Sequence, residues 1–142
     1  MSETISDSLR QLVTNRANGC CEYCQSQESF ATERFSIEHI EPRAAGGLTV
    51  AENLALACQG CNGHKAIKTT AIDAETQTPV PLFHPRQQLW QEHFAWSEDR
   101  LRIVGRTPTG RATVAALRLN RASLLNLRRA LIAINAHPPP AS

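Results

Sequence analysis

The sequence contains few aromatic residues and no long apolar run. Two Trp, one Tyr and four Phe make up 5% of its 142 residues, so the core must consist mainly of Leu, Ile, Val and Ala. No apolar stretch approaches the roughly 20 residues of a membrane-spanning helix, so no membrane contact is expected. The N-terminal stretch MSETISDSLRQ has no apolar segment, which predicts a cytoplasmic protein without a secretory signal.

Residues 100–142 contain no acidic side chain. They carry eight Arg, a charge of +8, whereas residues 1–99 carry 7 Lys+Arg and 13 Asp+Glu, a charge of −6, which together give the net +2 of the chain. This arginine density favours a polyanionic partner such as DNA, because the planar guanidinium matches phosphate oxygens. A solvated helix face would give the same pattern. The arginines expected to contact the DNA backbone are Arg111, Arg118, Arg121, Arg128 and Arg129.

The first half of the chain predicts short elements. Helical spacing of apolar residues favours a helix over residues 4–17. The stretch RFSIEHIEP (34–42) alternates like a strand and ends at a proline, and LALA (54–57) has the length of a strand. A further helix is predicted from Asn62 to Thr69. Between the strands, Thr49-x-x-Glu52 resembles a capping box.

The second half predicts an extended linker and then helices. Residues 73–85 are rich in Pro and Thr, residues 86–96 have helical spacing, and a hairpin is predicted around Glu98 and Asp99. Two helices separated near Asn120 complete the chain, with a buried stripe formed by Leu124, Leu127, Leu131 and Ile134. The chain thus divides into an N-terminal helix (1–19), a core (20–68), a linker (69–85) and a helical, arginine-rich C-terminal extension (86–142).

Four of the five cysteines form two C-x-x-C pairs, Cys21 with Cys24 and Cys58 with Cys61. Thiolates spaced in this way can face one ion from a tight turn, and two such knuckles complete a tetrahedral four-thiolate zinc site. A single redox dithiol is the alternative, but that motif normally occurs once. Cys20 is predicted to be a bystander, although it could replace Cys21 as a ligand.

Polar residues with the chemistry of a hydrolytic site lie between and beside the knuckles. Taken singly, His39 could be an ordinary strand histidine, Asn53 a turn residue and Asn62 a helix cap. Taken together, a carboxylate (Glu38), an imidazole and two amides could hold a hard divalent ion and a water. Because adjacent strand residues point to opposite faces, Glu38 and His39 must have different roles.

The order C-x-x-C, E-H-I-x-P, G-G, N-L, C-x-x-C-N-x-x-K resembles the HNH (ββα-metal) endonucleases, in the variant with an added four-cysteine zinc site. The resemblance covers about residues 20–68. It implies an α+β fold in which a small zinc-stapled ββα-metal core is flanked by N- and C-terminal helices. It also implies a DNA endonuclease that hydrolyses phosphodiester bonds with a single catalytic metal and a histidine general base.

The resemblance also implies a role for each matching residue. His39 would deprotonate the attacking water. Glu38 and Asn62 would bind the catalytic metal, and Asn53 would tie the loop to the strand and orient His39. Lys65, and less strongly Arg43, would contact phosphate. An Asn at position 62 in place of the family's usual His favours Mg²⁺ or Mn²⁺ over Zn²⁺. His64 lies about 200° around the helix from Asn62 and should face away.

The sequence leaves a second function open, a zinc-binding nucleic-acid module without catalysis. It accounts for the cysteines and the arginines but not for the spacing of Glu38, His39 and Asn62. The expected partner in either case is DNA, and the sequence does not distinguish a monomer from a homodimer.

Overall fold

The computed structural model describes residues 5–140. The helices are α1 (Asp7–Arg16), α2 (Gln59–Lys65), α3 (Trp90–His93), α4 (Pro108–Ala116) and α5 (Ala122–Ala133). The strands are β1 (Ser36–His39), β2 (Leu54–Ala57), β3 (Thr70–Asp73), β4 (Thr78–Pro81), β5 (Phe94–Trp96) and β6 (Ile103–Gly105). The strands pair in sequence order into three antiparallel hairpins. The predicted α+β class is therefore confirmed.

Helix α1 begins later than the predicted residue 4, which lies outside the described residues. It begins after Ser6 because the hydroxyl of that residue accepts a hydrogen bond from Leu9 N at 3.2 Å and caps the helix. Val13 is fully buried on its inner face. At the other end, the Arg16 guanidinium donates to the carbonyls of Ala51 and Leu54, which fixes α1 to the start of β2.

Strands β1 and β2 and helix α2 form a ββα unit. Ile37 pairs with Leu56 in an antiparallel register, and all four residues of β2 are buried. The prediction that α2 begins at Asn62 is wrong: it begins at Gln59, because the Cys58 sulfur caps it by accepting from Cys61 N at 3.4 Å. The helix ends at Lys65 instead of Thr69.

The prediction of an extended linker over residues 73–85 is wrong, since β3 and β4 form a hairpin there. The Asp73 carboxylate accepts hydrogen bonds from Thr76 N at 3.3 Å and from the Thr76 hydroxyl at 2.8 Å, which closes the turn. Pro79 and Pro81 fit into β4 because both strands of a two-stranded sheet are edge strands.

The C-terminal extension is less helical than predicted. The helix expected over residues 86–96 is reduced to the single turn of α3, because residues 94–96 pair with β6 instead. That hairpin and the break between α4 and α5 are as predicted. Asn120 lies at the break, accepting from Ile103 N at 2.7 Å and donating to Ile103 O at 2.8 Å.

One hydrophobic core joins the predicted segments within residues 5–140. It includes Val13, Tyr23, Phe35, Leu54, Leu56, Phe83, Phe94, Ile103, Leu117, Leu119 and Leu124. In the predicted stripe of α5, Leu124 and Leu131 are buried, but Ile134 is 63% exposed because the helix ends at Ala133. None of the described helices is long and apolar enough to cross a bilayer.

Candidate zinc centre and active site

The two C-x-x-C pairs meet in space as predicted. The sulfurs of Cys21, Cys24, Cys58 and Cys61 all lie within 4.8 Å of one another, and all four side chains are buried. Tetrahedral zinc with Zn–S bonds of about 2.3 Å separates its sulfurs by about 3.8 Å. Each knuckle also turns a backbone N–H toward a sulfur, from Cys24 to Cys21 and from Cys61 to Cys58. The cluster therefore fits a structural zinc ion.

Cys20 does not belong to this cluster. Its sulfur lies 3.7 Å from the Asn18 carbonyl, and burial raises the pKa of its thiol, which makes it a weak nucleophile and ligand. The five cysteines are all free of disulfides. A cluster of four thiols does not match a redox dithiol, so the geometry favours zinc over the redox alternative.

The His39 ring is oriented by a threonine hydroxyl. His39 Nε2 lies 2.8 Å from Thr49 Oγ1, and the imidazole is half-buried at the end of β1. Thr49 also lines an open depression of about 640 Å³ formed by residues 43, 44 and 46–50. Arg43 lies at the same depression with an exposed side chain. The imidazole is therefore connected through Thr49 to the lining of this depression.

Asn53 fixes the loop that carries Thr49. Its amide donates to the carbonyls of Glu41 at 3.0 Å and Leu48 at 2.9 Å, and its Oδ1 accepts from Glu41 N at 2.9 Å. Gly47 is required at this clamp, because a Cβ at that position would overlap the Glu41 carbonyl. These contacts tie the loop to the residue pair that follows β1, and the orienting role of Asn53 toward His39 stays a prediction.

Glu38 lies on the opposite face of β1 in a buried polar cluster. Lys65 Nζ is 2.8 Å from Glu38 Oε2 and 3.0 Å from the Ile40 carbonyl, and the Tyr23 hydroxyl donates to Glu38 Oε1 at 2.6 Å. Burial raises the pKa of the Glu38 carboxyl, although Lys65 and Tyr23 oppose that shift. Burial, together with the Glu38 charge, also raises the pKa of Tyr23.

These contacts do not fit a divalent metal at Glu38. Both carboxylate oxygens have protein partners, one of them a cation, and only 5% of the residue surface is exposed. Lys65 is 1% exposed, so its ammonium offers no surface to a phosphate.

Asn62 is half-buried, and its side-chain amide has no hydrogen-bond partner among residues 5–140. His64 lies near the C-terminal extension, where partial burial and the charges of Arg121 and Arg118 lower its pKa.

The predicted DNA-contacting arginines separate into two groups. Arg118 and Arg129 have exposed side chains on the C-terminal extension. Arg111 instead forms two hydrogen bonds of 3.0 Å with Asp73. Arg128 is 2% exposed and donates to Leu101 O, Leu119 O and Asn120 Oδ1, while Arg121 donates to cysteine sulfurs. Because Arg128 is buried, its side chain is not accessible for the predicted contact with phosphate.

An HNH endonuclease family model matches residues 21–67. The predicted HNH resemblance is thereby confirmed for this segment, which runs from the first zinc knuckle to just beyond α2. The HNH segment makes up about a third of the chain. Comparisons with curated proteins and with solved structures give no significant match.

The sequence does not predict the contacts that three residues make at the site. Tyr23 lies inside the first knuckle, C-E-Y-C, and its position offered no signal beyond its aromatic character. The sequence predicts a capping role for Thr49, but the turn at Ala51–Asn53 has no side-chain cap, and Thr49 forms a hydrogen bond with His39. The sequence predicts a DNA contact for Arg121, whereas Arg121 donates hydrogen bonds to two cysteine sulfurs that lie 60 or more positions away along the chain.

Proposed function

We propose that this protein is a DNA endonuclease that hydrolyses phosphodiester bonds with His39 as the general base. The observation that carries the proposal is the hydrogen bond between His39 and Thr49, at the edge of an open depression within the HNH segment. An imidazole so placed can accept a proton from a water that attacks phosphorus, since its ordinary pKa lies near neutrality.

Each neighbour of His39 has a defined part in this mechanism. Thr49 orients the ring, and Asn53 holds the loop that presents Thr49. Arg43, at the same depression, would bind the phosphate backbone. Such a contact positions DNA without reading its sequence. The exposed Arg118 and Arg129 could extend this backbone contact over the C-terminal extension.

The predicted dependence on Mg²⁺ or Mn²⁺ stays a prediction. Glu38 does not fit the ion while its carboxylate is bonded to Lys65 and Tyr23. The side-chain amide of Asn62, which has no hydrogen-bond partner among residues 5–140, is the member of the predicted pair that remains available to a hard ion. Cleavage of a supercoiled plasmid in EDTA, Mg²⁺ or Mn²⁺ tests this dependence directly.

Replacing His39 tests the proposal. His39→Ala is expected to lower the nicking rate by about 10² to 10⁴-fold, because the general base is lost. Thr49→Val should lower the rate less and Thr49→Ser should retain it, because serine keeps the hydroxyl. His64→Ala is the matched control and should nick within about tenfold of the wild type. Nicking by His39→Ala at the wild-type rate would exclude His39 as the base.

One observation favours the non-catalytic nucleic-acid-binding alternative. Glu38 and Lys65, to which the resemblance assigns a metal and a phosphate, are paired with each other inside the protein. If the wild-type protein binds DNA with a salt-dependent affinity but does not nick it in Mg²⁺ or Mn²⁺, the binding module is the correct function.

A further inference from the structure

The guanidinium of Arg121 spans the second zinc knuckle. Its Nη2 lies 3.4 Å from the Cys58 sulfur, and its Nη1 lies 3.6 Å from the Cys61 sulfur. Each of the two sulfurs therefore has its own N–H donor from the same planar group. Arg121 comes from the turn between α4 and α5, so this contact joins the C-terminal extension to the HNH segment.

Other contacts hold the guanidinium in this place. Nη1 also donates to the carbonyls of Leu117 at 3.3 Å and Arg118 at 3.2 Å, which lie at the C-terminal end of α4. Gly60 in α2 leaves the room that the group occupies: a Cβ there would lie 2.8 Å from Arg121 Cζ and closer still to Nη2. A side chain fixed on two sides loses little freedom when it bonds to the sulfurs.

The charge of the site requires such a donor. Four thiolates and one Zn²⁺ carry a net charge of −2, and these sulfurs are buried. A buried charge must be offset by hydrogen bonds or by an opposite charge. Cys24 N and Cys61 N supply neutral donors. Among residues 5–140, the charged donor within hydrogen-bonding distance of the four sulfurs is Arg121.

We propose that Arg121 is a positioning residue of the zinc centre, which stabilises the thiolates of Cys58 and Cys61 and slows the release of zinc. Its role is then directed inward to the metal and not outward to DNA. Partners around the ligands of a metal site typically change metal affinity by about 10 to 100-fold. The proposal does not depend on nuclease activity.

The test measures zinc transfer from the purified, zinc-loaded protein to a chromogenic chelator. Arg121→Gln is expected to release zinc about 10 to 100-fold faster than the wild type, because an amide lacks the charge. Arg121→Lys should be intermediate, since an ammonium cannot bond to both sulfurs in the same way. Arg118→Gln, an exposed neighbour, is the matched control and should release zinc at the wild-type rate.

Gly60→Ala is a second variant that should remove the hydrogen bonds between Arg121 and the two sulfurs. It leaves Arg121 in the chain but displaces the guanidinium, and alanine favours the helix, so the variant should fold. We expect faster zinc release in Gly60→Ala and no further increase in the double variant Gly60→Ala/Arg121→Gln. Zinc release within twofold of the wild type in both single variants would overturn the proposal. Equal acceleration in Arg118→Gln would also overturn it, by showing a general charge effect.

Discussion

At the scale of single residues, the Glu38–Lys65 pair decides how the ββα unit holds together. The pair connects β1 to the last turn of α2, and Tyr23 extends it to the first knuckle. A buried ion pair contributes little net stability, but either charge destabilises the fold when its partner is removed. The resemblance alone would place both groups at a solvent-facing site, whereas burial places them in the interior.

Lys65→Met should therefore destabilise the protein by about 3 to 5 kcal/mol, because it leaves a carboxylate buried without a cation. Adding Glu38→Gln should restore part of that loss, since the uncompensated charge is then gone. Urea unfolding followed by circular dichroism measures both changes. Lys68→Met is the control: the Lys68 side chain is exposed and donates to the His64 carbonyl. A stable Lys65→Met protein with weakened DNA binding would instead support the phosphate role.

Alternation along β1 predicts that Glu38 and His39 face opposite sides of the strand, and the two side chains do have different surroundings: Glu38 contacts Lys65 and Tyr23, whereas His39 contacts Thr49. This alternation does not predict which face of β1 is buried. That depends on Tyr23 and on the direction of α2, which Cys58 sets by capping the helix three residues earlier than expected. The motif thus predicts a set of site residues, but their burial depends on contacts between distant segments.

At the scale of elements, the β3–β4 hairpin is fastened to α4 by Arg111 and Asp73. Two parallel hydrogen bonds of 3.0 Å join the guanidinium to a carboxylate that is itself buried. This contact explains why the predicted linker is ordered: its proline-rich sequence gives weak strand preference, and a residue 38 positions away supplies the missing partner. No local pattern could reveal such a contact.

This ion pair predicts an acid-dependent loss of stability. The hydrogen bonds from Arg111 hold the pKa of the Asp73 carboxyl well below its usual range. The Asp73 carboxylate is therefore protonated at a higher pH in the unfolded chain than in the folded chain. The ion pair stabilises the fold fully above about pH 4, and this stabilisation is lost as the pH falls below that value. The difference in melting temperature between the wild type and Asp73→Asn should be largest at neutral pH and shrink below about pH 4.

Glu75→Gln is the matched control for this experiment. Glu75 also lies near Arg111, at 3.1 Å, but its side chain is 69% exposed, so its removal should hardly change the melting temperature. A difference between the wild type and Asp73→Asn that stays constant from pH 7 to pH 3 would contradict the assignment of this pair.

At the scale of the whole molecule, the zinc cluster lies inside the common core. Cys21, Cys24, Cys58 and Cys61 belong to the same cluster as Val13 of α1, Phe83, which precedes α3, and Leu117, which follows α4. The doubled C-x-x-C motif predicts the cluster well. The apolar residues of the sequence do not predict the shared core, because a mainly aliphatic pattern with few aromatic residues does not show which segments pack together.

Removal of zinc should consequently unfold the described fold as one unit. We expect one zinc ion per chain by metal analysis, and a single cooperative melting transition that shifts strongly downward in a chelator or in Cys58→Ser. Cys20→Ser should keep the zinc and most of the stability, since its sulfur lies outside the cluster. A metal-free protein with an unchanged melting curve would contradict the zinc assignment.

Cys58 is both a cluster thiol and the cap of α2, and this double role connects metal occupancy to local motion. The N–H groups in the first turn of a helix exchange with solvent readily when the cap is lost. The backbone N–H of Cys61 donates a hydrogen bond to the Cys58 sulfur. A transient release of zinc would free that sulfur to move and would expose the Cys61 N–H to solvent. Amide hydrogen exchange at the start of α2 would then record the opening of the metal site, even in molecules that remain folded elsewhere.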